Sequence, residues 1–161
     1  MARMRPSLQE RDRGSIRPIH GADLAHCRTV FENTTSEDRY CRFFQFKDDL
    51  GDEELRRFVE FGDEVIGLLA FEGAEPVGMA HAWIDEFGAA ELGIIVSRTA
   101  RRRGVGRNLI QTVIEQLVER NALELFAYAL GENAAFDALA RRIGMARMDV
   151  DGGVVTFRLT L

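Results

Sequence analysis

Arginine and glycine are concentrated in one short segment, Arg101-Arg102-Arg103-Gly104-Val105-Gly106-Arg107, which follows an apolar run and precedes a helical pattern. The two glycines have no side chain that would obstruct a ligand approaching the main chain. The first N–H groups of a helix have no intrahelical partner and carry partial positive charge, so an anion is their natural ligand. The arginines could pair with further phosphate groups. The segment therefore predicts a phosphate-binding turn; the alternative is a glycine-containing turn beside solvated arginines.

Two better-known phosphate motifs do not describe this segment. A dinucleotide-binding G-x-G-x-x-G motif requires glycine at position 109, which is leucine here. A P-loop requires a Gly-Lys-Ser or Gly-Lys-Thr sequence, which does not follow.

Apolar periodicity predicts that the segment lies between strands and helices of a mixed sheet. Three strands separated by short turns, typical of an antiparallel meander, are predicted before it, at residues 65–71, 76–84 and 90–96. The elements predicted after it are a helix at 104–120, a buried strand at 123–130, a helix at 133–143 and two strands around 151–153. The strand–helix–strand unit from 90 to 130 should be parallel and right-handed.

The N-terminal part is predicted to add a strand at residues 15–19 and helices at 21–31, within 34–46, and from Asp52 to Gly62. The predicted fold class is α+β: a mostly antiparallel sheet with one parallel strand pair and helices on both faces. Residues 1–14 are polar and arginine-rich and are interpreted as a flexible tail. Residues 15–161 are interpreted as a single domain, as expected for a chain of 161 residues.

Composition excludes several classes of protein. The net charge of −5 argues against a nucleic-acid-binding protein. No apolar run is long enough to cross a bilayer, and no signal-peptide pattern is present, so a cytoplasmic protein is expected. Cys27 and Cys41 have neither metal-site nor disulfide spacing and are interpreted as thiols in a reducing compartment. No metal site is predicted.

The pattern formed by Arg101, Gly104 and Gly106 resembles the R/Q-x-x-G-x-G/A pyrophosphate loop of the GNAT (Gcn5-related) N-acetyltransferases, and the order of elements is similar too. The resemblance implies the GNAT fold, with acetyl-CoA as the donor substrate. It implies that donor contacts come from residues 101–107, from the end of the preceding strand, and from the helix that follows Asn133. The strand and helix residues assigned to this donor site are Ile94, Ile95, Val96, Asn133 and Phe136.

A narrower likeness concerns residues 36–44, 52–55, 90–92 and 139–145, which are similar to segments of bacterial Pat-type protein lysine acetyltransferases. This likeness implies a protein lysine as acceptor. By the same analogy, the acceptor-side region contains Arg39, Arg42 and Phe43. Dimers are common in the superfamily, so a homodimer is a further expectation.

Glu91 is the candidate general base. A lysine amine has a pKa of about 10.4 and must lose a proton before it attacks a thioester. Glu91 lies in an apolar strand directly before the phosphate-binding segment, where burial would raise the pKa of a carboxyl group. The resemblance agrees, because lysine acetyltransferases place a glutamate at this strand position. A surface glutamate at a strand end is the alternative. By analogy, a backbone N–H at a bulge near Ile95 or Val96 would polarise the thioester carbonyl.

Other residues with chemical potential have simpler interpretations. His81 lies in mid-strand and could be an accessory base, but a histidine satisfied by its surroundings is the simpler interpretation. Trp83 and Tyr128 are predicted to be core residues. Many family members have a tyrosine that protonates the leaving thiolate, and the matching residue here is Ala140, so that helix should supply no tyrosine acid.

Residues 48–64 contain eight carboxylates. They form either a solvated helix face or an acceptor-side rim that attracts a cationic amine. The sequence thus favours direct acetyl transfer from acetyl-CoA to a primary amine, with a protein lysine as the first hypothesis. A small amine is the second hypothesis, since the domain is expected to stand alone. A non-catalytic acyl-CoA sensor is the third, because the helix tyrosine is absent.

Overall fold

The structure is a computed structural model that describes residues 14–43, 49, 51–57 and 62–161. One sheet of seven strands organises these residues, in the order β1-β2-β3-β4-β5-β7-β6. The strands are β1 (Ser15–Pro18), β2 (Val65–Glu72), β3 (Glu75–Ile84), β4 (Ala89–Val96), β5 (Glu124–Leu130), β6 (Ala146–Asp151) and β7 (Val154–Thr160). The helices are α1 (Leu24–Glu32), α2 (Ser36–Phe43), α3 (Asp52–Arg57), α4 (Val105–Glu119) and α5 (Ala134–Ile143), with 3₁₀ turns at Gly21–Asp23 and Arg98–Ala100.

Strand pairing confirms the predicted fold class. Every neighbouring pair is antiparallel except β4 and β5, which are parallel and are connected through α4. The predicted α+β sheet with one parallel pair is therefore correct. The predicted flexible tail at residues 1–14 lies outside the described residues except for Gly14, as do the predicted helical residues 44–46 and 58–61.

Each face of the sheet is covered by different helices, which divide the interior into two apolar clusters. Helix α4 packs on one face, where Leu109, Val113 and Leu117 are fully buried. Gly78 of β3 permits this close approach, because an added Cβ would lie 3.0 Å from Leu109 and 3.1 Å from Val105. On the opposite face, a smaller cluster contains Phe31 of α1 and Leu55 of α3.

The parallel pair β4–β5 separates halfway along its length. Residues Ala89 to Leu92 pair with Glu124 to Ala127, and in the described structure no pairing between the two strands continues beyond Leu92 and Ala127. Strand β4 nevertheless keeps its pairing with β3 as far as Val96, and β5 keeps its pairing with β7 as far as Leu130. The sheet therefore contains an internal gap, bounded by residues 93–96 on one side and 128–130 on the other.

Helix α2 lies over β4 and β5 on the face opposite α4. Thr35 and Asp38 fix its first turn, since the Thr35 N–H donates to the Asp38 carboxylate at 2.7 Å and the Asp38 N–H donates to the Thr35 hydroxyl at 3.1 Å. This reciprocal pair is a capping box. Within the described residues, no helix is both long and apolar enough to cross a bilayer.

Candidate active site

The predicted phosphate-binding turn has the main-chain geometry that an anion site requires. Gly104 precedes α4 as its N-terminal cap residue, with a φ of 81°, and Arg102 also has a positive φ of 60°. The left-handed conformation at Gly104 is one that L side chains rarely adopt, which explains the glycine. Gly106 lies in the first turn, where an added Cβ would come within 3.2 Å of Leu139 on α5. The first N–H groups of α4 thus point out of an unobstructed turn.

The four arginines of this turn divide into two kinds. Arg101 forms an ion pair with Asp38 of α2, and Arg103 pairs with Glu72 at 3.2 Å. Arg102 and Arg107 are exposed, and neither has an ion-pair partner in the described part of the chain. Two guanidinium groups therefore remain beside the turn for phosphate groups.

The gap between β4 and β5 exposes main-chain groups directly beside this turn. The Ser97 N–H donates to the Val77 carbonyl at 2.8 Å, so the polar groups of Ser97 point toward β3. Because these groups alternate sides along a strand, those of Ile94 and Val96 point toward the gap. The bulge expected near Ile95 is absent, since β3 and β4 keep continuous register to Val96. Separation of β5, rather than a bulge, makes the N–H donors accessible.

Helix α5 borders the other side of the gap, and its two predicted donor-site residues have structural contacts. The Asn133 side-chain oxygen accepts a hydrogen bond from the Phe136 N–H at 3.1 Å and so caps the helix. The Phe136 ring packs edge-on against Phe157, with 5.4 Å between ring centroids. Ala140 is fully buried at the position where the family tyrosine would lie. The turn before α4 and the main-chain groups of Ile94 and Val96 thus border the gap. Asn133 and Phe136 instead contribute a helix cap and a core contact, and Ile95 directs its carbonyl toward β3.

Glu91 lies on the face of the sheet opposite α4, and its side chain is exposed. The expected burial of this carboxylate is wrong, because α1, α2 and α3 leave that part of the sheet face uncovered. Strand pairing places Trp83 of β3 opposite Glu91 on one side and Phe126 of β5 opposite it on the other. Glu91 is therefore accessible to a substrate that approaches this open face.

The predictions that Trp83 and Tyr128 are core residues are also wrong. Each is 45% exposed, and both line a groove of about 540 Å³ that includes Glu91 and Phe126. The fully buried strand predicted at 123–130 is accordingly buried on one face only. Glu64, at the end of the acidic segment, lines the same groove.

Arg42 and His81 form a partly buried pair close to Glu91. Arg42 Nη2 lies 2.6 Å from His81 Nε2, and since a guanidinium can only donate, the ring nitrogen accepts. Burial, reinforced by the charge of Arg42, holds the pKa of His81 well below its usual range. Burial also lowers the pKa of Arg42 to about 10, although the negative charge of Glu91 opposes part of that shift.

Gly93 makes room for this pair. A Cβ added at Gly93 would lie 2.1 Å from Arg42 Nη2 and 2.6 Å from His81 Cε1. A glycine inside an apolar strand is a sequence signal of close approach, and it could have identified this contact in advance. The structure thus brings together Arg42, His81 and Glu91 across three elements.

The remaining acceptor-side predictions have different outcomes. Arg39 stacks over the Phe31 ring at 4.7 Å and donates to the Thr34 carbonyl at 3.2 Å, contacts that stabilise the α1–α2 connection. The Phe43 side chain lies outside the described residues. In the acidic segment, Asp52 pairs with Arg28 at 2.5 Å on the surface, whereas Glu64 lines the groove. Asp48 and Glu60 lie outside the described residues.

Comparison with known proteins identifies the same fold. A family model described as "Acetyltransferase (GNAT) family" matches residues 27–145. The GNAT domain of S. lividans PAT is 23% identical, with a TM-score of 0.86 over 91% of this chain and 89% of that chain. A ribosomal-protein-alanine N-acetyltransferase from Brucella melitensis is 24% identical, with a TM-score of 0.74 over 91% and 99%.

A third solved structure contains a donor molecule. It is a phosphinothricin acetyltransferase from Sinorhizobium meliloti in complex with AcCoA. It is 17% identical, with a TM-score of 0.77 over 92% of this chain and 89% of that chain. At these identities, the likenesses to solved structures show a shared fold.

Proposed function

Because the chain belongs to the acetyltransferase (GNAT) family, whose model matches residues 27–145, we propose that it acetylates a lysine of a protein, with Glu91 as the general base. Family membership makes the chain an acetyltransferase with acetyl-CoA as its donor, and it favours an enzyme over a non-catalytic sensor. The acceptor and the roles of individual residues are the proposal. The observation that carries it is the position of Glu91, which is exposed in a groove beside the gap between β4 and β5.

The donor site is proposed on the α4 side of the gap. The turn at residues 101–107 would bind the pyrophosphate through the N–H groups of α4 and through Arg102 and Arg107. The thioester would lie between β4 and β5, where the main-chain groups of Ile94 and Val96 face the gap. An N–H donor aimed at the thioester oxygen stabilises the negative charge that develops there. One such donor can contribute roughly 3 kcal/mol.

The acceptor amine would enter from the opposite face, through the groove that contains Glu91. The Glu91 carboxylate takes a proton from the ammonium, either directly or through water, and the neutral nitrogen attacks the carbonyl carbon. As the C–N bond forms, the C–S bond breaks and the electron pair leaves with the sulfur. The second proton lost by the nitrogen passes through solvent to the thiolate, which gives the free thiol. A thiol has a pKa of about 8.5, so its thiolate is a tolerable leaving group without a tyrosine acid.

Replacement of the base tests this mechanism. Glu91→Gln should bind acetyl-CoA with unchanged affinity by calorimetry, but turnover of a lysine peptide should fall by about 100-fold or more. Glu86→Gln is the matched control, because Glu86 is exposed in the β3–β4 turn outside the groove. Turnover of Glu91→Gln equal to that of the control would exclude Glu91 as the base. Failure of the unmodified protein to bind acetyl-CoA would contradict the donor site.

A small-molecule amine is the second candidate acceptor, favoured by the likeness to a phosphinothricin acetyltransferase. A thiol-release assay over lysine peptides, amino acids and polyamines separates the two candidates. A higher kcat/KM for a small amine than for any lysine peptide would favour this second candidate.

We also propose a cytoplasmic location, because Cys27 and Cys41 are both free thiols, as is usual in reducing compartments. The homodimer expected from the resemblance stays a prediction, which sedimentation of the purified protein would test.

A further inference from the structure

Glu91 has an aromatic side chain on each side of it in the sheet. Trp83 is its register partner on β3 and Phe126 its partner on β5. Neighbouring strands lie about 4.8 Å apart, so the two rings and the carboxylate form one continuous row on the open face. Tyr128 lies two residues beyond Phe126 on the same face of β5, toward the gap. The groove therefore places a carboxylate between aromatic surfaces along the path to the gap.

An arginine lies over one of these rings. The Arg158 guanidinium lies 5.7 Å from the centroid of Phe126 and pairs with Glu124 at 2.5 Å, so it covers part of that ring. Trp83 and Tyr128 are each 45% exposed where they line the groove. The exposed parts of these two side chains are aromatic surface that an incoming acceptor would contact.

The charges in the groove favour a cationic ligand. Glu64, Asp85 and Glu91 line it. Asp85 is committed to the β3–β4 turn, where its carboxylate accepts from the Phe87 N–H and the Ala89 N–H, each at 2.9 Å. Glu64 and Glu91 therefore supply the negative charge that faces a ligand, and aromatic faces add an attraction for ammonium groups.

We propose that Trp83 and Tyr128 are specificity-determining residues that select a primary ammonium carried on a long aliphatic stem, namely a lysine side chain of a polypeptide. This inference rests on the proposed function. The methylene stem packs against the two rings while the ammonium contacts Glu91. An α-amino group has no such stem and gains less from the rings. The surface thus favours a lysine ε-amine over an amino-terminal acceptor.

A substitution that removes one ring tests the proposal. Trp83→Leu keeps an apolar side chain but loses the aromatic face, and it should raise the KM for a lysine peptide by about tenfold, with no change in KM for acetyl-CoA. Phe87→Leu is the matched control, because Phe87 is an aromatic residue that is 77% exposed and lies outside the groove. The control should keep the unmodified KM for both substrates. A Trp83→Leu variant with an unmodified peptide KM would overturn the proposal.

Tryptophan fluorescence of the unmodified protein provides a second test, which measures peptide binding directly. Trp83 is the only tryptophan of the chain, so intrinsic tryptophan fluorescence reports on this groove alone. Titration with a lysine peptide should change the emission, and the same peptide with norleucine in place of lysine, which lacks the ammonium, should change it only at higher peptide concentration. Equal responses to both peptides, or none to either, would contradict selection of the ammonium.

Different results would contradict the proposed function and the role of Trp83 and Tyr128. Suppose that lysine peptides are acetylated in a Glu91-dependent manner, but Trp83→Leu keeps the peptide KM and the tryptophan emission does not respond. This result would overturn the groove assignment and leave the proposed function intact. A higher kcat/KM for a peptide α-amine than for a lysine ε-amine would overturn the selection. Acetylation of small amines alone would remove the protein-lysine acceptor on which the inference rests.

Discussion

The donor side and the acceptor side of the β4–β5 gap are built in different ways. The donor side depends on the main chain of one contiguous segment, residues 101–107, and on the first turn of α4. The acceptor side depends on side chains from α2, β2, β3, β4 and β5, which are distant in sequence. A main-chain site leaves glycines at fixed spacing, whereas a side-chain site depends on which surfaces the helices leave uncovered. The first kind of site can be identified in a sequence, but the second becomes visible only in the fold.

One ion pair joins the two sides. Arg101 belongs to the phosphate-binding turn, and its partner Asp38 belongs to the capping box of α2. Burial by itself would raise the pKa of Asp38, but hydrogen bonds from Arg101 and Thr35 outweigh it and lower the pKa. Asp38 is therefore an ionised anchor at the boundary between the two sides.

The largest expected effect is a loss of acetyl-CoA affinity on the donor side, with the acceptor side unchanged. Gly104→Val forces a β-branched residue into a left-handed conformation, at a cost of about 1–2 kcal/mol. We expect the affinity for acetyl-CoA, measured by calorimetry, to fall by about tenfold or more as the turn relaxes. The KM for the acceptor should not change.

Gly73→Val is the matched control for this variant. Gly73 has a φ of 60° in the β2–β3 turn, and like Gly104 it has no atom within 4 Å of an added Cβ. It should lower stability and leave acetyl-CoA affinity unchanged. If both variants bind acetyl-CoA as the unmodified protein does, the main-chain geometry of the turn is not what binds the donor.

A smaller effect tests the connection between the sides. Asp38→Asn removes the charge that holds Arg101, so Arg101 becomes available for phosphate while α2 loses an anchor. We expect acetyl-CoA affinity to rise and acceptor KM to increase, each by roughly two- to fivefold, as suits a partly exposed pair. Calorimetry and steady-state kinetics measure the two changes.

Glu37→Gln is the control, because Glu37 is an exposed acidic residue in the same turn of α2. A loss of acetyl-CoA affinity in Asp38→Asn, with Glu37→Gln unaffected, would mean that the ion pair supports the donor turn instead of competing with phosphate.

The smallest expected effect is on the pH dependence of folding stability, and it involves only the acceptor side. The folded-state pKa of His81 lies well below its unfolded value of about 6.5, so the unfolded state binds more protons in that interval. The stability that comes from neutral His81 is present above the unfolded pKa and is lost as pH falls toward the folded pKa. His81→Gln still offers an oxygen to Arg42 but does not titrate.

Thermal unfolding of both proteins between about pH 7.5 and about pH 5.5 measures this contribution; these limits lie about one unit on either side of the histidine pKa. We expect Tm to fall less steeply with decreasing pH in His81→Gln than in the unmodified protein. Parallel profiles would show that His81 takes up its proton in the folded state as readily as in the unfolded chain.

The difference between the main-chain donor side and the side-chain acceptor side also explains which sequence predictions were correct. Strands and helices followed from local periodicity, and the parallel pair followed from the strand–helix–strand order. Helix α5 ends at Ile143 as predicted, and Gly144 follows it with a φ of 94°. Burial of Trp83, Tyr128 and Glu91 was predicted wrongly, because an apolar strand looks the same whether or not a helix covers its second face. That coverage depends on where α1, α2 and α3 pack, which local periodicity does not specify.

Long-range contacts could not be predicted from the sequence either. Arg42 and His81 are 39 residues apart, and they meet only because Gly93 leaves space above β4. The resemblance placed Arg42 on the acceptor side, and the mid-strand position of His81 made it a possible accessory base, but neither indicated that the two residues contact each other. Their pairing depends on tertiary packing, and only the glycine gave a local sign of it.

The gap between β4 and β5 also determines how firmly the sheet holds together. Strands β1–β4 and β5–β7 form two blocks joined by four residue pairs and braced by α4. In the described structure, no strand pairing crosses this gap beyond Leu92 and Ala127, so separation of the two blocks along it should cost less free energy than separation of fully paired strands. A donor molecule bound there would contact both blocks and stabilise the folded state by mass action. Acetyl-CoA would then be a structural member of the sheet as well as a reactant, and the amount of folded protein would follow its concentration.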